Sequence, residues 1–159
     1  MDNTKTNAMR IVEKAGISYK TLSYDHSDGL IDGISVAGKM GIPVEKVFKT
    51  LVTQGHSRNY FVFIIPVAAE LDLKAAAKAV DEKSVEMIKV ADINKVTGYI
   101  RGGCSPIGMK KDYVTVLDSS CQFLDMIILS AGKIGHQIEM APDDLIKLIQ
   151  CKVEHITMQ

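Results

Sequence analysis

At 159 residues, with 47% hydrophobic and 24% charged side chains, the chain has the make-up of one globular domain, 1–159. Nineteen basic and nineteen acidic residues cancel, which excludes a strong freestanding nucleic-acid binder, because phosphate affinity comes from concentrated Lys and Arg. The longest apolar stretch, 60–69, is broken by Pro66 and too short to span a bilayer, so no membrane partner is expected.

In chain order, Ala8, Ile11, Val12 and Ala15 recur at helical spacing, and Gly16 stops that helix. A strand is predicted over 19–24, then a turn-rich stretch over 25–33 and a short helix over 35–40 ending at Gly41. Strands over 47–53 and 60–66 are joined by the polar turn 54–57, and the second is apolar on consecutive positions, so both its faces should be covered. Asp72 caps a helix through Val80, with Lys74 and Lys78 four apart on its wet side. A short helix over 91–96 precedes a glycine-rich segment at 98–108. Strands are predicted over 114–117 and 125–129, then a tight turn at 132–135, a strand over 136–140, and a last helix opened by Pro142, Asp143 and Asp144. Central strands with irregularly interspersed helices fit an α+β fold better than a regular βαβ series.

The amino terminus, Met1-Asp2-Asn3-Thr4-Lys5, is polar and lacks the apolar core of a signal peptide. Cys104, Cys121 and Cys151 are odd in number and widely spaced, with no CxxC pair, so a reducing cytoplasm is the simplest home. His26, His56, His136 and His155 show no metal-ligand spacing with each other or with the cysteines, and neither a metal nor a cofactor is expected.

Three features invite chemistry. Lys49 sits inside the apolar run Val47-Phe48-Lys49-Thr50-Leu51. On a regular strand it shares a face with Val47 and Leu51, where a charge is expensive unless it is paired or snorkels to water. Thr50 points to the opposite face. The segment Gly102-Gly103-Cys104-Ser105-Pro106-Ile107-Gly108 demands an unusual backbone path. It reads either as a structural turn or as a wall of N–H groups and the Ser105 hydroxyl aimed at an oxyanion. The third is Gly132-Lys133-Ile134-Gly135, which lacks phosphate-loop spacing and reads as a hairpin. Cys104 reads first as a small filler, since no base is near it in sequence to activate it. Lys110 and Lys111 are solvated charges or, beside a pocket mouth, an attraction for a polyanion.

With Leu71-Asp72-Leu73-Lys74, Gly98-Tyr99, Met109-Lys110-Lys111 and Ser130-Ala131-Gly132-Lys133, these segments resemble the YbaK aminoacyl-tRNA deacylases over roughly residues 8–155. The likeness is greatest to the Cys-tRNA(Pro) branch, which is related to the editing domain of bacterial prolyl-tRNA synthetases. The resemblance implies a mixed sheet curled into a partial barrel with surrounding helices, and a pocket for the aminoacylated 3′ end of a tRNA. It implies that Lys49 is the essential lysine, that Gly102, Gly103 and Ser105 form the catalytic wall, and that Tyr24 lines the site. Thr50, Cys104, Pro106, Gly132, Gln137, Lys110 and Lys111 complete the implied substrate-binding set. Cleavage is implied to be substrate-assisted, with the cysteinyl thiol attacking its own ester carbonyl. Such an attack needs orientation and a stabilised oxyanion rather than a protein nucleophile. Near-zero net charge suggests delivery by a partner, a synthetase such as prolyl-tRNA synthetase or an elongation factor. Ile134 stands where the family usually has a cation, and Gln137 where close relatives often carry an aspartate. An Ala- or Ser-tRNA deacylase, or a module that binds an aminoacyl or nucleotide end without cleaving it, are the alternatives.

Overall fold

The computed structural model describes residues 4–158, so Met1, Asp2 and Asn3 of the polar amino terminus lie outside it. Helix α1 (Asn7–Lys14) begins with a reciprocal cap in which the Thr6 hydroxyl accepts from the Met9 N–H and the Met9 sulfur accepts from the Thr6 N–H. It buries Ala8, Met9 and Val12. Strand β1 (Lys20–Ser23) follows, then helix α2 (Gly33–Met40), capped by the Asp32 carboxylate on the Ser35 N–H and stopped at left-handed Gly41.

Strands β2 (Phe48–Gly55) and β3 (Tyr60–Pro66) form the central hairpin, in the register Lys49 opposite Ile65 and Thr50 opposite Ile64. After α3 (Leu73–Ala79) come β4 (Val85–Met87) and α4 (Ile93–Thr97). The helix predicted over 91–96 is a tight turn, Val90–Asp92, that runs into α4. Then follow β5 (Val114–Asp118), β6 (Ile127–Lys133), β7 (His136–Met140), α5 (Pro142–Ile149) and β8 (Lys152–Glu154).

The strands form two open sheets, β4-β2-β3-β5-β8 and β1-β7-β6. The β3–β5 and β5–β8 pairs are parallel and the others antiparallel, so the fold is α+β with mixed pairing. One parallel bridge, Val47 to Ile128, ties the start of β2 to β6 and so joins the two sheets.

β3 is covered on both faces, as its unbroken apolar run suggests. Phe63, Ile64 and Ile65 are fully buried, Ile64 against α1 and β6 and the other two against α3. Each such side chain contributes about 1.5–3 kcal/mol when buried. In β6 the alternation is cleaner. Ile127, Leu129 and Ala131 join the core beneath α1 and α5, while Ile128 and Ser130 take the other face. In β7, Ile138 and Met140 face that core, and Gln137, opposite Ser130, shares Ser130's side. No helix among the described residues is long and apolar enough to cross a membrane.

Candidate active site

A cavity of about 400 Å³ opens where the two sheets meet, and its wall includes Val47, Phe48, Lys49, Thr50 and Leu51 in succession. A cavity over one sheet face would take alternate residues; this one takes both parities because it lies along a strand edge. β4 pairs only with Thr53–Gly55 of β2, and Val47 bridges to Ile128, which leaves the edge between them free of strand pairing. Thr50, expected on the opposite face from Lys49, therefore lines the same cavity. Gln137 and Ser130 close one side, Gly33 and its α2 neighbours another, and Arg101, Gly102 and Cys104 a third.

The third wall is shaped by contacts between the two glycine turns. Tyr99 ties the ends of its loop together, its hydroxyl donating to the Ile107 carbonyl. The ring of Tyr99 lies against Gly132, where an added Cβ would meet it at 2.8 Å. A Cβ on Gly103 would stand 3.0 Å from the Ile134 backbone nitrogen and 3.3 Å from the Lys133 carbonyl carbon. The loop therefore rests directly on hairpin backbone, which only glycine permits at that separation. Gly102 has φ +84°, the left-handed region, and sits between Ile31 and Ile134.

Lys49 is half-buried and makes no hydrogen bond or ion pair with any described residue. A cation so placed must keep its water or meet an oxygen-rich ligand. The amide N–H groups of Gly102 and Cys104, both on the cavity wall, also lack an acceptor among the described residues. Gln137 is 6% exposed, and its amide makes no hydrogen bond within the described residues. Unpaired donors gathered around one concavity suit a ligand rich in carbonyl, hydroxyl or phosphate oxygen.

Several sequence-derived site residues stand elsewhere. The Gly103 N–H is taken by the Ile100 carbonyl at 3.0 Å. Ser105 is fully buried outside the cavity wall, and its hydroxyl accepts from the Ile107 N–H at 3.2 Å, a contact that shapes the turn. Pro106 and Gly132 also lie off the wall. The Lys110 ammonium donates to the Lys95 carbonyl at 3.2 Å, and Lys111 borders a separate cleft beside α5.

Tyr24 does not line the cavity. It docks on the hairpin through its N–H to the Gly135 carbonyl, with the Lys39 ammonium 5.9 Å from its ring centre. Its hydroxyl is buried without a partner among the described residues. An unsatisfied buried hydroxyl costs about 1–3 kcal/mol, so Tyr24→Phe should raise the thermal midpoint by a few degrees. A fall measured by calorimetry would show that the hydroxyl has a partner in solution.

Burial pushes the Cys104 thiol up to about 11, against a weaker downward pull from the Thr97 hydroxyl. At pH 7 roughly one such thiol in ten thousand is ionised, which makes Cys104 a neutral wall residue. Cys104→Ala should keep turnover of any substrate held in this cavity within about threefold of wild type; a loss beyond about a hundredfold would assign it chemistry. Cys121 and Cys151 are likewise raised from 9.0 to about 11 by burial. Raised thiols favour the protonated fold, so stability is held below about pH 9 and lost as pH climbs toward about 11. Chemical unfolding across that window should show the decline, reduced in Cys104→Ala.

The sequence pattern did not single out Arg101, Ser130 or the start of α2 as cavity residues. Ser130 falls just past the strand predicted over 125–129, and its place opposite Gln137 follows only from the pairing of β6 with β7. Ile31, Asp32 and Gly33 fall in a stretch recognisable only as turn-rich, and nothing local couples it to β2 across the fold.

Residues 34–148 match the family described as the aminoacyl-tRNA editing domain. The chain is 47% identical over 153 residues to EbsC of Enterococcus faecalis, provisionally named a Cys-tRNA(Pro)/Cys-tRNA(Cys) deacylase, covering 96% of this chain and 93% of that protein. Among solved structures, the fold superposes on a hypothetical protein, APE2540, with TM-score 0.85 at 17% identity, covering 94% of this chain and 97% of that one. It also superposes on a structure provisionally described as a trans-editing enzyme for prolyl-tRNA synthetase, with TM-score 0.83 at 19% identity, covering 98% and 100%.

Proposed function

The chain belongs to the aminoacyl-tRNA editing domain family, and from that membership we propose that it clears mischarged tRNA in trans, with Cys-tRNA(Pro) as its substrate. The activity is aminoacyl-tRNA deacylation. The observation that carries the reading is the meeting of unpaired Lys49 with the Gly102 and Cys104 amides in one cavity of about 400 Å³.

In this reading the aminoacylated ribose enters between β2 and the glycine loop. Lys49 donates to oxygens of the terminal ribose and ester, and the Gly102 and Cys104 amides receive the carbonyl oxygen as it becomes an oxyanion. The cysteinyl sulfur adds to its own ester carbonyl, and the tetrahedral intermediate expels the ribose 3′-oxygen. The thiol proton ends on that oxygen, which leaves free tRNA and a cyclic thiolactone that water later opens to cysteine. The protein supplies orientation, which can lower a barrier by about 7–11 kcal/mol at best, and charge stabilisation of the oxyanion. A neutral Cys104 thiol suits this scheme, because it does not compete with the substrate's own sulfur.

We read the two bridged sheets as a partial barrel with helices around it, and residues 1–159 as one editing domain working in the cytoplasm. The provisional name of EbsC gives both tRNA(Pro) and tRNA(Cys), and cleaving correct Cys-tRNA(Cys) would be wasteful. Discrimination therefore falls to a delivering partner, for which prolyl-tRNA synthetase is the candidate. The test is a deacylation screen of the purified chain on Cys-tRNA(Pro), Cys-tRNA(Cys) and Ala-tRNA(Pro), with and without that synthetase. Cysteine should be released from both tRNAs by the chain alone, and the synthetase should favour tRNA(Pro). Faster release of alanine would reassign the substrate.

A further inference from the structure

The reaction above places chemistry at the floor of the cavity, but an aminoacyl-tRNA also brings phosphates to its mouth. Arg101 lines this cavity immediately before Gly102, and it is exposed. Its guanidinium makes no hydrogen bond or ion pair with any described residue. Ile34, on the same cavity, and Leu30 and Ile100, each next in the chain to a lining residue, are apolar side chains more than half exposed. Of the cavity's other charged groups, the Asp32 carboxylate is already engaged with the Ser35 N–H, and Lys49 is half-buried. Lys110 is tied to the Lys95 carbonyl and Lys111 borders a different cleft. Arg101 is thus an exposed, unpaired fork of donors set among greasy neighbours, one residue from the amide that receives the oxyanion.

We propose that Arg101 binds the phosphodiester of the tRNA's 3′-terminal nucleotide while Lys49 and the Gly102 amide hold the ester. The inference rests on the deacylase reading and deepens it. A phosphate lies one sugar away from the ester, and a planar guanidinium matches two phosphate oxygens at once. In a chain whose nineteen cations and nineteen anions cancel, RNA affinity must come from local contacts of this kind. Exposed Ile34, on the same cavity, offers the terminal base an apolar surface to lie on. Arg101 is accordingly a substrate-binding residue, with no part in bond breaking.

The experiment compares wild type, Arg101→Gln and Arg101→Lys on two substrates, Cys-tRNA(Pro) and cysteinyl-adenosine, which has the same ester but no phosphate. On the tRNA, Arg101→Gln should lower kcat/KM about tenfold, mostly through KM, and reduce the slope of log affinity against log salt by about 0.7. On cysteinyl-adenosine it should match wild type, and Arg101→Lys should recover part of the loss on tRNA. Equal losses on both substrates would make Arg101 a prop for the glycine loop, and no loss on tRNA would remove it from binding; either result overturns the proposal. If wild type cleaves neither substrate, the deacylase reading fails on its own. The phosphate contact is then judged by titrating a 5′-CCA-3′ trinucleotide: weaker binding by Arg101→Gln supports it, and equal binding overturns it.

Discussion

Lys49→Ala should slow release of cysteine from Cys-tRNA(Pro) by about 100-fold or more, the loss typical of removing a donor that meets developing charge. The thermal midpoint should stay within a few degrees of wild type. Those two expectations come from one fact, that Lys49 has no partner in the described protein. Deleting it strands no buried counter-charge, which is the usual reason such substitutions unfold a protein. Lys49 stands opposite Ile65 in the hairpin and two residues from Leu51 on the same strand, so Lys49→Met, which keeps the stem, should unfold no more readily than wild type and remain equally inactive. Lys49→Arg should recover little, because a broad fork does not replace a compact ammonium at half-buried depth. Single-turnover deacylation on each variant checks the series. A Lys49→Met variant that kept wild-type rates would assign Lys49 to packing.

Gly102→Ala should be the second large effect. The residue holds φ +84°, which an alanine adopts at a cost of about 1–2 kcal/mol. Its new methyl would also stand 2.7 Å from the Ile31 Cδ1. That atom is the free end of a side chain and can yield, so the fold should survive with a midpoint lowered by about 2–8 °C, at about 2–4 °C per kcal/mol. Activity should fall much further than stability. The amide on the cavity wall belongs to this residue, and tilting it from the carbonyl forfeits an oxyanion donor, worth about 100-fold to 1,000-fold in kcat. A variant that lost stability but kept full kcat would move the oxyanion site elsewhere.

Much of this arrangement was legible in the sequence, and the exceptions have physical reasons. Strand 60–66 was visible because a long apolar run can only be buried on both faces, and Ile64 and Ile65 are. The missing strands, β4 and β8, are three residues each and each holds a charged residue, too short for any period to register. The strand predicted over 125–129 starts at Ile127 and continues to Lys133, through a register shift between Ser130 and Lys133 that no local pattern announces.

The site divides the same way. A lysine in an apolar strand and a doubled glycine each break a local rule, and Lys49 and Gly102, the first of the two glycines, line the cavity. Ser105 broke a rule too, but for the sake of its own turn. Its hydroxyl accepts from the Ile107 N–H, and sequence spacing cannot distinguish a serine that holds its own turn from one aimed at a ligand. Arg101 broke no rule, since an arginine in a loop is ordinary, and its position emerged only once β2, α2 and the loop were seen to share a wall.

The central claim is that the substrate's own sulfur does the attacking in a cavity built to hold it still. The direct measurement sets Cys-tRNA(Pro) against Ser-tRNA(Pro), which differ by one atom, and identifies the released product. Cysteine should leave at least about 100-fold faster than serine, emerging first as the thiolactone. Equal rates for the two, with only the open amino acid released, would contradict the account and return the nucleophile to water.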